Sequence, residues 1–266
     1  MHRELPYRHA KTKVWKNTTF AKTNEMNSAE KGTRLITLPN IITLGNLLCG
    51  TVAIISIISL QSPQALRTAF LLMLAAAVCN FLDGFTARLT KQYSTIGAQL
   101  DSLADMVSFA VLPTIIAMKI YYIAGGHGVW SALLLLIAAC GALRLARFNA
   151  SDDHGGDFRG LPVPACALLI GAAGWYASSR VGMPASPAMQ WVVLAAGVVL
   201  ALLMVSRIRM FSLKFNGFGF RTNAVRYTFL LMSAIMIAVT GMTGIGLAVI
   251  LYILYSLIAG IAGMAR

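Results

Sequence analysis

From Leu38 onward the chain alternates long apolar runs with short polar breaks. Eight runs stand out, at 38–60, 66–87, 97–122, 129–148, 162–179, 188–205, 226–241 and 244–264. The breaks fall at Ser62-Pro63, at Gly125-Gly126, across Ser151 to Gly160, at Pro184 to Pro187 and across Gly217 to Arg221. Several runs approach the roughly 20 residues with which an α-helix crosses a bilayer. The pattern predicts an all-α, polytopic membrane helix bundle of about eight transmembrane helices, occupying residues 37–266. Residues 1–36 precede the first run and hold no apolar stretch of signal-peptide type. They are expected to form a basic cytoplasmic tail.

Composition supports the membrane assignment. Hydrophobic residues make up 58% of the chain and charged residues 12%, about half the charged share of a water-soluble domain. The four cysteines, Cys49, Cys79, Cys140 and Cys166, lie in apolar runs without C-x-x-C spacing. They read as small buried hydrophobes and suggest neither disulfides nor zinc.

The net charge of +13 would suit a nucleic-acid binder, but its distribution points elsewhere. Eight basic residues crowd the first 34 positions, and most others sit in short connections. With the N-terminus inside and the runs alternating, nineteen Lys and Arg fall on the cytoplasmic side, against Arg67, Lys119 and Arg180 outside. This positive-inside bias predicts that both termini are cytoplasmic and that no nucleic acid is involved.

Acidic residues are scarcer and say more. Three of the nine lie in the tail and three, Asp152, Asp153 and Asp157, in a polar connection. The remaining three, Asp83, Asp101 and Asp105, lie near the ends of apolar helices. A charge at a helix centre costs about 2.5–3.5 kcal/mol, so such residues ordinarily have a partner or a task. Asp101 and Asp105 are four apart and share a helix face with Gly97. Asp83 ends the preceding, oppositely directed helix, so Asp83 and Asp101 meet at similar depth, with Asp105 about 6 Å deeper than Asp101. Three converging carboxylates repel unless cations hold them, and hard divalent ions suit oxygen ligands. Ion pairing with Arg88, Arg144 or Arg147 is the alternative reading.

The run Asp83-Gly84-Phe85-Thr86-Ala87-Arg88, eight residues, Gly97, three residues, Asp101, three residues, Asp105 resembles the D-G-x2-A-R-x8-G-x3-D-x3-D signature of the CDP-alcohol phosphatidyltransferases. Other stretches resemble the integral-membrane, serine-using branch of that family. These are Leu38 to Asn46, Leu100 to Phe109, Arg144 to Asn149 and Gly160 to Ala165. The resemblance runs from about Leu38 to at least Ala165.

It implies a six-helix catalytic core, which the last two apolar runs follow outside the resemblance. It also implies a divalent metal, Mg2+ or Mn2+, and transfer of the phosphatidyl group from CDP-diacylglycerol to L-serine with release of CMP. Asp83, Asp101 and Asp105 then resemble metal ligands, with Asp105 also the catalytic base. Asn80 stands where the family normally carries another aspartate; its amide oxygen can ligate a cation but adds no charge. Gly84, Arg88 and Ser94 resemble the residues that contact the CDP moiety, with Ala87 and Gly97 small beside it. Asn40, Thr43, Asn46, Arg144, Arg147 and Asn149 are weaker pocket candidates. The family resemblance also implies a homodimer in the bacterial inner membrane, with the active site facing the cytoplasm. Three other readings stay open: a sibling enzyme with a different alcohol acceptor, a weakly active CDP-lipid-binding member, and a cation-coupled transporter.

Overall fold

The computed structural model describes residues 36–60, 62–91, 94–150, 159–181, 184, 186–208, 210 and 220–261. The proposed tail and most of the Ser151–Gly160 connection lie outside these residues. The described chain is helical almost throughout: α1 (Leu38–Ser59), α2 (Gln64–Thr90), α3 (Thr95–Asp105), a π-helical turn (Met106–Val111), α4 (Leu112–Ile123), a 3-10 turn (Gly128–Leu134), α5 (Leu135–Ala150), α6 (Val163–Ser178), α7 (Pro187–Val205), α8 (Phe220–Thr240) and α9 (Met242–Ile261). The α3–π–α4 stretch is one continuous rod, and the 3-10 turn leads directly into α5, giving eight rods among the described residues. Five of them are long and apolar enough to span a membrane, and the apolar parts of the other three are shorter. The molecule is a polytopic membrane helix bundle.

Local chemistry sets the helix ends. The Thr37 hydroxyl accepts the Asn40 amide at the start of α1, and Pro39 occupies its first turn. The Ser94 hydroxyl accepts the Gly97 amide at the start of α3. Lys91 closes α2 in the left-handed region, with φ of 52°.

The π turn departs from the plain helix expected over 97–122. Pro113 has no N–H to return to the carbonyl four residues back, so the ladder cannot run unbroken here. A wider turn immediately before the proline absorbs the defect.

Small residues let the rods approach closely. A Cβ on Gly50 of α1 would fall 2.2 Å from Ser108 Oγ and 3.0 Å from Ser108 Cα. One on Gly141 of α5 would fall 2.8 Å from Ala110 Cβ, and one on Gly246 of α9 the same distance from Ala172 Cβ of α6. Such contacts are how membrane helices associate where water gives no hydrophobic drive. Phe70, Met73, Phe109, Leu112, Ile116, Val163 and Ala167 fill the interior. Large apolar side chains such as Ile58, Val78, Phe81, Leu202 and Ile258 face outward, as a lipid-facing surface requires.

Hydrogen bonds show which ends lie together. Asn149 at the end of α5 donates to Ser102, the residue after Asp101 in α3, at 2.8 Å. Leu161, just before α6, donates its amide to the Leu203 carbonyl of α7, at 3.0 Å. Gly160 beside it has a φ of +76°, and a Cβ there would lie 2.4 Å from the Met204 carbonyl oxygen, so only glycine fits. At the opposite end, Arg67 of α2 donates to Ser178 of α6 and Ser186 donates to the Ala124 carbonyl.

Candidate active site

The short link between α2 and α3 brings the end of one helix and the start of the next to the same face of the bundle, with α1 alongside. Asp83 is buried near the end of α2, and Asp105 is buried at the end of α3. Asp101 is half-buried one turn before Asp105.

Each buried carboxylate is held by neutral groups of α1 or α2. The Thr43 hydroxyl donates to Asp83 Oδ2 at 2.7 Å. The Asn46 amide donates to Asp105 Oδ1 at 3.0 Å, and the Asn80 amide donates to that same oxygen. Asn46 is tied twice, because its backbone carbonyl accepts the Ser108 hydroxyl at 3.0 Å. Asp101 Oδ1 and Asn46 Oδ1 are buried with no hydrogen-bond partner. Buried carboxylate and amide oxygens left in that condition are costly unless another group completes them.

The donor set suits a hard divalent cation in kind: carboxylate and amide oxygens, two of them buried and unmatched. Asp83, Asp101 and Asp105 lie close enough together to feel one another's charge. Among the described residues no three acidic, histidine or cysteine side chains form a ready cation cage. The physical reason is that Asp83 is turned to Thr43 and Asp105 to Asn46 and Asn80. Asn80, expected to offer its oxygen, presents its amide nitrogen to Asp105 instead.

The remaining expected residues divide into two groups. Arg88 is exposed, and its guanidinium folds back to within 3.9 Å of where a Cβ on Gly84 would be. Ala87 is half-buried beside it. Ser94 caps α3, and a Cβ on Gly97 would meet both Ser94 Oγ and Asn40 Oδ1 at 2.9 Å, so Gly97 is the seam between α1 and α3. On α5, Arg144 is half-buried with its Nε enclosed and unpartnered. Arg147 and Asn149 are exposed at the same helix end.

Thr43 and Asn46, named from sequence only as weaker candidates, are therefore direct partners of the carboxylates. Ser108 was missed. Its position three residues after Asp105, on the same helical face, is the signal that could have found it.

The fold and site define an all-helical membrane protein with a carboxylate cluster at one end of an antiparallel helix pair. The chain belongs to the CDP-alcohol phosphatidyltransferase family, whose sequence profile matches residues 36–203. It is 36% identical over 139 residues to the CDP-diacylglycerol–serine O-phosphatidyltransferase of Helicobacter pylori, covering 51% of this chain and 56% of that protein. It is 34% identical over 134 residues to the enzyme of the same name from Bacillus subtilis, covering 50% of this chain and 72% of that one. Archaetidylserine synthase of Methanothermobacter thermautotrophicus is 36% identical over 148 residues, covering 54% and 60%. The matches thus span about half of this chain, and little more than half of the Helicobacter protein. Helices α8 and α9 lie beyond the family match.

Proposed function

We propose that the chain transfers the phosphatidyl group of CDP-diacylglycerol to L-serine, giving phosphatidylserine and CMP. The observation that carries this is the carboxylate set Asp83, Asp101 and Asp105, matching the family spacing and backed by buried polar groups of α1. The serine acceptor draws its support from relatives named for serine or archaetidylserine synthesis.

In this mechanism Asp83, Asp101 and Asp105 would hold a divalent ion, Mg2+ or Mn2+. The chemistry supplied by such an ion would be neutralisation of the pyrophosphate and of the charge on the departing CMP. Asp105 accepts the proton of the serine hydroxyl as its oxygen bonds to the lipid-side phosphorus, and the bond from that phosphorus to CMP breaks. Asn46 and Asn80 occupy Asp105 Oδ1, which leaves Oδ2 to take the proton. Thr43 fixes the rotamer of Asp83 in the same way.

Arg88 and the bare backbone at Gly84 form the nucleotide side, with Ala87, Ser94 and Gly97 shaping its floor. Arg144, whose enclosed Nε has no partner, is the group assigned to the serine carboxylate. Arg147 and Asn149 sit at the rim, and Asn40 is buried beneath Gly97. The site faces the cytoplasm of a bacterial inner membrane in this proposal, and two chains form a homodimer.

The test is a transfer assay on detergent-purified protein. CDP-diacylglycerol is offered with labelled serine, glycerol 3-phosphate and inositol phosphate together, with and without Mg2+ or Mn2+. Phosphatidylserine formed only with metal supports the assignment. Product from a phosphate-bearing acceptor, with none from serine, defeats it.

A further inference from the structure

On the side of the bundle reached by α4, α6, α7 and α9 lies a cavity of about 660 Å³, lined by residues such as Ile120, Ala173, Val193 and Leu200. It exists because α6 and α7, consecutive in sequence, scarcely touch along their length. Along α7 the lining runs from Ser186 and Met189 down to Leu203, a rise of about 25 Å and so most of a bilayer's apolar thickness. The lower end is stoppered where Leu161 bonds to the Leu203 carbonyl. That end lies towards the carboxylates; the other end lies at the opposite membrane face.

The lining is apolar except at that far end, where Tyr176, Arg180 and Ser186 stand. Arg180 is held there: its Nη2 donates to the Tyr176 hydroxyl at 2.5 Å, and its guanidinium lies 5.1 Å from the centre of that ring. Arg67 is held in the same manner over Trp175, at 5.4 Å, while donating to Ser178. Two of the three basic residues on this face are thus anchored to the end of α6. A long apolar slot with a fixed cationic group, Arg180, at one mouth has the polarity of an amphiphile with an anionic head.

We propose that this cavity is a non-catalytic phospholipid site, taking one acyl chain between α6 and α7 and the lipid phosphate at Arg180. The site stands apart from the carboxylate cluster and does not depend on the activity proposed above.

Native mass spectrometry of the full chain tests it, with phosphatidylglycerol or phosphatidylcholine of matched chains added to the detergent-purified protein. The wild type should retain one lipid per chain and prefer phosphatidylglycerol. Ala173→Trp and Ala196→Trp, which fill the slot from opposite walls, should each abolish retention while melting like the wild type. Arg180→Gln should keep the chain bound but reduce the preference for the anionic lipid about fivefold. Three results would overturn the proposal: undiminished lipid on both tryptophan variants, an unchanged preference in Arg180→Gln, or a lipid-free dimer that the tryptophans dissociate.

Discussion

Asn46 and Asp105, fifty-nine residues apart on α1 and α3, are joined by a 3.0 Å hydrogen bond from the amide to Oδ1. The amide brings no charge, so it fixes the carboxylate without neutralising it. Asn46 is completely buried, and its removal leaves an oxygen of Asp105 short of a donor. Asn46→Ala should lower transfer by roughly 10–100-fold, the usual cost of losing a supporting partner. It should also destabilise the fold by about 1–3 kcal/mol. Initial rates and thermal melts in detergent would show both; a variant with wild-type rates would mean that Asp105 needs no such support.

Asp105→Asn keeps the shape of the side chain and removes the base. Transfer should fall by about 10²–10⁴-fold, while equilibrium binding of CDP-diacylglycerol persists. Turnover at the wild-type rate would take Asp105 out of the mechanism.

Asn80 is where the chain departs from the pattern it resembles. Asn80→Asp replaces a donor facing Asp105 by a second carboxylate, which repels it unless a cation lies between. The variant should therefore melt lower than the wild type in EDTA, gain more from Mn2+, and reach half-maximal activity at less Mg2+ or Mn2+, since ligand charge raises affinity. Coincident melting and titration curves for the two proteins would make the amide a neutral replacement.

Gly50→Ala probes the seam between α1 and the π turn. The added Cβ would sit 2.2 Å from Ser108 Oγ and 3.0 Å from its Cα, so the two rods must separate. A cost of about 1–3 kcal/mol is expected, with a loss of transfer out of proportion to it, because Asn46 lies one turn away on the same face. A melt and a rate both equal to the wild type's would show that the seam can yield.

Orientation is open to direct test. Cysteines at Ser151 and Gly126 should label from the inside and the outside of sealed cells respectively, following the distribution of basic residues. Outside labelling at Ser151 would reverse the bundle.

Most of the architecture was legible because a bilayer demands long apolar runs, and the ends of those runs are marked by polar breaks. The run at 66–87 became Gln64–Thr90, and that at 97–122 became Thr95–Ile123. The carboxylates were equally plain, since Asp83, Asp101 and Asp105 are anomalies in apolar helices. What faces what was harder to see. A helix that is apolar all round carries little directional signal, so the closeness of Ser108 to Gly50 and of Ala110 to Gly141 could not be read from spacing alone. The roles of Thr43 and Asn46 depend on that same crossing. The wide turn after Asp105 was readable in principle from Pro113, but its location depends on where the ladder gives way.

That wide turn has a consequence for how the rod Thr95–Ile123 is phased. Each residue of an α-helix advances the azimuth by about 100°, and a turn carrying one additional residue offsets everything on one side of it against everything on the other. Asp105 thus points towards α1 while Ile116 and Tyr121, further along the same rod, remain aimed into the core. Deleting a single residue between Met106 and Val111 would erase the offset, and the two ends could then no longer both be in register.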